Sequence, residues 1–275
     1  MAQPSIKSIR KALIAEPGTK FKLAERPTRH KEIFDDKDEA RASLEADARA
    51  IDELQDRLYG ESERSVLVVL QGMDTSGKSG VIRHVFAYTS PLGMQLEAFK
   101  GPSKRELAHD YLWRIHAAVP RKGTIGIFDR SHYEDVLVVK VREFAPKDAI
   151  KQRYDQINDF ERMLTENGVT LVKCMLNISH ETQGERLLAR LEEPDKRWKF
   201  NPGDLEDRKL WPAFMDAYET AVDKCSTEHA PWYVIPSDSK TRRNAMIARL
   251  VRGALEDMDP KYPDPGYRPE QFEIG

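Results

Sequence analysis

From Val66 to Ser79 an apolar, mostly β-branched run passes straight into a glycine loop, and few folds accommodate that order. Val66-Leu-Val-Val-Leu70 reads as a buried strand. Gly72-Met-Asp74-Thr75-Ser76-Gly77-Lys78-Ser79 fits G-x-x-x-x-G-K-[ST], the phosphate-binding loop. Val81-Ile-Arg-His-Val-Phe86 then resumes with helical spacing. The motif therefore stands where its mechanism requires, between a strand and a helix. Gly72 and Gly77 can take φ > 0, so the loop can curl its N–H groups around an anion. The helix N-terminus adds partial positive charge. Lys78 is expected to reach the β- and γ-phosphates, and the Ser79 hydroxyl to ligate Mg²⁺. By residue usage alone the pattern arises in roughly one chain in a hundred of this length, and the flanking elements cut that further. The alternative is a glycine-rich turn that binds nothing.

The chain of 275 residues is long enough for a substantial core. A net charge of −2 excludes a global pull toward nucleic acid or membrane, so any polyanion site must be a local basic patch. Cys174 and Cys225 lack metal-ligand spacing and read as small buried apolar residues, which makes a cytoplasmic location the default. No signal-like or membrane-spanning apolar stretch is present.

Residues 1–32 carry eight Lys/Arg against three Glu and read as a basic, solvated tail, or else as an arm on a partner subunit or anion channel. Residues 37–59 read as one amphipathic helix with Leu44, Ile51, Leu54 and Leu58 on its apolar face. Five strands are expected, at 66–71, 96–100, 124–128, 169–177 and 232–235. Helices are expected at 79–89, 103–118, 132–143, 147–167, 180–192, 204–226 and 241–257. Strands alternating with helices imply a parallel sheet covered on both faces, with ligands at the carboxyl ends of its strands. The division expected is an N-terminal arm and helix over 1–60, a phosphate-loop domain over 61–258 with a lid at about 180–205, and a tail over 259–275.

Several candidates follow the strands. Asp129 ends an apolar strand, where phosphate-loop enzymes place a carboxylate for Mg²⁺, although Asp also caps turns. Arg130 beside it can clamp a phosphate, or make an ordinary ion pair. Asp74 sits inside the anion cradle, where it must be offset by a metal ion or Lys78, or else merely shape the loop. Lys100 ends the second strand, and Lys104 and Arg105 follow on what is otherwise a solvated face. Arg186 and Arg190 share one helix face before Pro194 breaks it, which fits a lid closing over phosphates or, again, solvated charge.

The chain resembles the polyphosphate kinase 2 family. The resemblance rests on Gly72-x-Asp74-x-x-Gly77-Lys78, Phe99-Lys100-x-Pro102-Ser103, His109-Asp110-Tyr111-Leu112-Trp113-Arg114 and Phe128-Asp129-Arg130-Ser131-x-Tyr133. It continues through Arg186, Arg190, Arg197-Trp198-Lys199-Phe200 and Pro231-Trp232-Tyr233-Val234-Ile235-Pro236. It implies a three-layer α/β/α fold related to thymidylate kinase, here with a five-stranded parallel sheet and a helical lid. It also implies Mg²⁺-dependent transfer between inorganic polyphosphate and nucleotides, in either direction. Asp74 and Asp129 match the family's two essential acidic positions, and Lys78, Arg130, Arg186 and Arg190 match basic positions that hold phosphates. Gly72, Thr75, Ser76, Gly77, Ser79, Lys100 and Lys104 complete the expected phosphate site. Ser79-Gly80 stands where the family often has Gly-Gly, and the family works without that hydroxyl. The expected partners are polyphosphate and nucleotides, with the chain as a homo-oligomer, dimer or tetramer. The rival readings are an ATP-dependent nucleoside monophosphate kinase, a GTP switch and a structural protein with a dead loop, the last opposed by intact Gly77-Lys78 and Asp129. The switch lacks both its Asn-Lys-x-Asp motif and an Asp-x-x-Gly after the second strand.

Overall fold

The computed structural model describes residues 4–30, 33, 34 and 36–274. Residues 1–3, 31 and 32 of the expected basic arm lie outside the described residues. In chain order the elements are α1 (Ile6–Leu13), β1 (Ile14–Ala15), α2 (Lys37–Glu61), β2 (Ser65–Gln71), α3 (Lys78–Val85) and β3 (Met94–Ala98). Next come α4 (Trp113–Ala117), β4 (Ile125–Asp129), α5 (Val138–Val141), α6 (Lys147–Glu166) and β5 (Val169–Asn177). The chain continues with α7 (His180–Glu192), α8 (Gly203–Lys209), α9 (Trp211–Cys225), β6 (Trp232–Pro236) and α10 (Lys240–Met258).

The strands form one sheet in the order β1-β6-β5-β2-β4-β3. β2 lies between β4 and β5, and every residue of it is buried. Its side chains alternate: Leu67 and Val69 join one apolar cluster, Val66, Val68 and Leu70 the other. The first cluster takes Ile150, Ile157 and Phe160 of α6 and Phe214 and Tyr218 of α9. The second takes Ile9 of α1, Ile51 and Leu58 of α2, Val81 of α3 and Ile247 and Leu250 of α10. Burial on both faces explains why these strands read as unbroken apolar runs. No helix among the described residues is long and apolar enough to cross a membrane.

The sheet has six strands among the described residues, not five, and it is not wholly parallel. β1 pairs antiparallel with β6, Ile14 opposite Tyr233. A two-residue edge strand contains no alternation to read, so only the pairing reveals it. The stretch expected as a solvated tail thus packs at residues 6–15, with Ile9 and Leu13 buried.

Three long helices of the sequence reading are interrupted. The expected helix 103–118 is a 3-10 turn at Glu106–Ala108 followed by the short α4. Asp110 Oδ1 accepts the Leu112 N–H at 2.9 Å, a local turn that competes with helix. The expected helix 132–143 is a 3-10 turn at His132–Asp135 and then α5, broken at Leu137. Around Leu210 the expected 204–226 helix divides into α8 and α9. Pro212 stands in the first turn of α9, where its missing N–H costs nothing.

Candidate active site

The loop from Gly72 to Gly77 leaves the end of β2 and opens α3 at Lys78. Gly72 has φ +151°, and a Cβ there would come within 2.8 Å of Leu176 O and of Ser76 Oγ. Gly77 has φ +106°, and its Cβ would overlap the Arg243 guanidinium. Both glycines are required by the conformation and by the close approach. Gly77 is also the N-cap of α3 and offers no side chain to the first-turn N–H groups, which stay available to an anion. Thr75 Oγ1 and Ser76 Oγ are buried without a hydrogen-bond partner. A cradle with unmet donors suits phosphate.

Lys78 is buried, and its Nζ donates to Gly72 O at 2.8 Å. Burial pushes its amine down from the usual lysine value, opposed by Asp74. Ser79 is exposed on the first turn of α3.

Asp129 ends β4, paired with Leu70 of β2 and Ala98 of β3. Arg130, at φ +68°, donates from Nη2 to Asp74 Oδ1 at 2.7 Å. Thr75, at φ +63°, is a second non-glycine residue in the left-handed region. Such residues cost about 1–3 kcal/mol each and persist where the surroundings over-determine them. Burial lowers the Arg130 pKa, but Glu134 and Asp74 outweigh it, so the guanidinium stays charged.

The structure thus brings Asp74, Lys78, Asp129 and Arg130 to adjacent strand ends. It adds two residues that were not among the sequence candidates. Glu134 follows on the 3-10 turn after β4, and burial pushes its carboxyl up while Arg130 and Lys78 pull it down. Its position five residues after Asp129 was the available signal. Arg243 of α10 donates from Nη1 to Ser76 O at 2.7 Å and is buried behind Gly77. Burial, with Arg186 beside it, pushes its pKa down to about 9. Nothing local marked it, since it lies far along the chain from the loop.

The remaining predicted residues are divided. Arg186 Nη1 donates to Thr75 O at 2.8 Å and Nη2 to Ser237 O at 2.8 Å, bracing the loop from behind. Arg190 pairs with Asp204 at 2.9 Å and reaches Lys199 O at 3.1 Å, tying α7 to α8. Lys100 is exposed but lines a cavity of about 280 Å³ together with Phe99, Leu107, Arg114, Arg130 and Phe144. Lys104 is exposed and does not line it.

Asp74 and Asp129 are hard oxygen donors, as Mg²⁺ demands. Among the described residues no three His, Cys, Asp or Glu side chains are grouped to hold a metal by themselves. Mg²⁺ at phosphoryl-transfer sites uses one or two carboxylates together with the substrate's phosphates. Two carboxylates beside a phosphate cradle fit that donor set.

Residues 34–263 match the family model for Polyphosphate kinase 2 (PPK2). The chain is 48% identical over 236 residues to the AMP/ADP-polyphosphate phosphotransferase of Meiothermus ruber, covering 85% of this chain and 88% of that one. It is 37% identical over 271 residues to the ADP-polyphosphate phosphotransferase of Rhodopseudomonas palustris, covering 94% of each. The crystal structure of Polyphosphate Kinase 2 from Arthrobacter aurescens TC1 superimposes with a TM-score of 0.93 at 39% identity, over 98% of this chain and 96% of that one.

Proposed function

The chain belongs to the polyphosphate kinase 2 family, and from that premise we infer that it moves a phosphoryl group between inorganic polyphosphate and AMP or ADP, in either direction. The observation that carries the reading is a phosphate loop whose flanking strand ends present Asp74, Asp129 and Arg130 beside Lys78. In the synthetic direction an oxygen of the acceptor's terminal phosphate attacks the last phosphorus of the polymer. The bond from that phosphorus to its bridging oxygen breaks, and the polymer leaves one phosphate shorter.

The protein's part in such a transfer is positioning and charge neutralisation. Lys78, with its amine held in the cradle, exchanges the Gly72 carbonyl for phosphate oxygens. Arg130 neutralises charge on the transferring group from the neighbouring strand end. Mg²⁺, when bound, would be held by Asp74 and Asp129 and would screen the phosphate oxygens. The fold read here is the three-layer kinase type, with α7 and α8 as the lid. The cavity beside Arg130 suits the nucleotide acceptor: Phe99, Leu107 and Phe144 provide apolar surface for a base, and Arg114 and Arg130 provide charge for its phosphate.

The test is an assay of AMP and ADP with polyphosphate as sole phosphoryl donor, followed by phosphorus NMR. ADP and ATP should appear as the polymer shortens. Transfer from ATP to AMP with none from polyphosphate would establish the monophosphate-kinase reading instead.

A further inference from the structure

A second cavity, of about 530 Å³, shares no lining residue with the one beside Arg130 but is built on the same segment. Val138, Val139 and Phe144 line the cavity beside Arg130, while Lys140, Glu143 and Ala145 line the second. The stretch from α5 to Ala145 is therefore a wall common to both. α5 packs on α9 and on the 3-10 turn that carries Glu134. The rest of the second cavity comes from Thr220 of α9, from Pro146 and from one face of α6, where Lys147, Ile150, Lys151 and Tyr154 recur at helical spacing.

Three features of this lining point to a ligand. Tyr154 is only 4% exposed, and its hydroxyl is buried without a hydrogen-bond partner. Buried hydroxyls are normally satisfied, so this one has an unused bond to offer. Lys147 and Lys151 are exposed and make no ion pair among the described residues, against one lining acid, Glu143. Lys140 is excluded from that balance, because its Nζ donates to Asp216 Oδ2 at 2.9 Å and to Thr220 Oγ1 at 3.2 Å. α6 begins at Lys147 behind Pro146, which supplies no capping side chain, so the positive end of a 20-residue helix lies at the same place. Asp148 stands in that first turn but does not line the cavity. Between the charged groups, Ala145, Pro146, Ile150 and the Tyr154 ring form an apolar wall. An apolar wall with a few convergent polar groups is the usual form of a small-molecule site.

We propose that this cavity binds a small anion with a flat apolar ring, and that its ligand acts on the nucleotide acceptor through the α5 wall. The ring lies on Ile150 and Tyr154, the anionic group meets Lys147 and Lys151, and the Tyr154 hydroxyl completes the contact. A nucleotide and an aromatic carboxylate share this chemistry. The action on the acceptor rests on the phosphotransfer reading above, whereas the site itself does not. A ligand that prefers one position of α5 changes acceptor affinity by that preference, since Val138, Val139 and Phe144 move with it.

The probe is anilinonaphthalene sulfonate, an apolar ring system with one negative charge, titrated by fluorescence. Lys147→Glu/Lys151→Glu should weaken its binding by about tenfold. Lys11→Glu/Lys122→Glu, the same change of charge on exposed residues outside the cavity, should leave it within about twofold. Tyr154→Phe should weaken binding by about fivefold and leave the melting temperature unchanged or higher, because the hydroxyl has no partner in the protein to lose. The variant-sensitive signal should fall on adding ATP or naphthoate, and whichever acts identifies the source as nucleotide or aromatic carboxylate. Saturating dye should change KM for AMP or ADP by about threefold or more in the wild type and not in Lys147→Glu/Lys151→Glu. Dye affinity unchanged in Lys147→Glu/Lys151→Glu and Tyr154→Phe, or displacement by neither compound, would overturn the site. A KM effect that persists in Lys147→Glu/Lys151→Glu would place the dye in the acceptor cavity and overturn the coupling. A wild type with no transfer from polyphosphate would instead remove the phosphotransfer reading, and the fluorescence titration would still decide the site.

Discussion

The Arg130 guanidinium lies 2.7 Å from the Asp74 carboxylate, although 56 positions separate them in the chain. Asp74 follows β2 and Arg130 follows β4, and these strands are neighbours in register. Each holds the other's charge in a cradle built for phosphate. Under the phosphotransfer reading proposed above, a phosphate that took Arg130 would free Asp74 for a metal ion.

Asp74→Asn keeps an acceptor for Arg130 and removes only the charge. We expect kcat to fall by about a hundredfold or more, the scale of a lost electrostatic contact in the transition state. Nucleotide KM should move only a few-fold. Separate measurement of the two constants decides it: unchanged kcat would leave Asp74 the task of shaping the loop.

Arg186 and Arg190 should behave differently despite sharing a helix. Arg186 donates to the carbonyls of Thr75, Ser76, Ser237 and Asp238, so Arg186→Ala leaves several buried acceptors unmet. It should cost about 2–3 kcal/mol of stability, typical of hydrogen bonds from a charged donor. Arg190→Ala breaks one part-buried pair with Asp204 and a bond to Lys199 O, and should cost less, about 1–2 kcal/mol, while loosening the α7–α8 hairpin and raising substrate KM. Chemical denaturation of both variants gives the comparison. Equal losses would mean that the loop does not depend on Arg186.

The side chains of His132, Tyr133, Glu161 and Lys173 are fully buried together. Lys173 Nζ also donates to Cys225 O at 2.7 Å. Lys173→Met should destabilise by about 3–5 kcal/mol, because it leaves the Glu161 carboxylate buried without its countercharge. Pairing it with Glu161→Leu should restore a large part of that loss. A single variant as stable as wild type would show that the cluster is not ionised.

Asp204 sets a pH dependence. Burial and then Asp74 push its carboxyl up to about 6 from an ordinary 3.8, against Arg190 and Arg130. Between those values the folded chain binds more protons than the unfolded one, so this residue lowers stability as pH rises through the window. Above it the Arg190–Asp204 pair is fully charged and closes the hairpin. Asp204→Asn should flatten the change in melting temperature between pH 3.8 and about 6. A wild-type-like profile in that variant would assign the titration to another group.

The sequence by itself determined the elements whose signal is local. Val66 to Ser79 reads as strand, loop and helix because β-branching, φ > 0 glycines and helical spacing all act within a few residues. Asp129 was legible for the same reason, as the carboxylate ending an apolar run. Tertiary structure alone decided what depends on partners distant in the chain. β1 exists because Ile14 finds Tyr233, and Pro212 and Asp110 divide helices that periodicity would have run together. Arg243 reaches the loop because α10 packs behind α3, and Gly77 has no Cβ to keep its guanidinium away. Arg186 and Arg190 look alike in sequence, four residues apart on one face. One braces the loop and the other fastens a hairpin, because a guanidinium's role is set by the oxygens that folding brings within reach, and spacing along a helix carries no record of them.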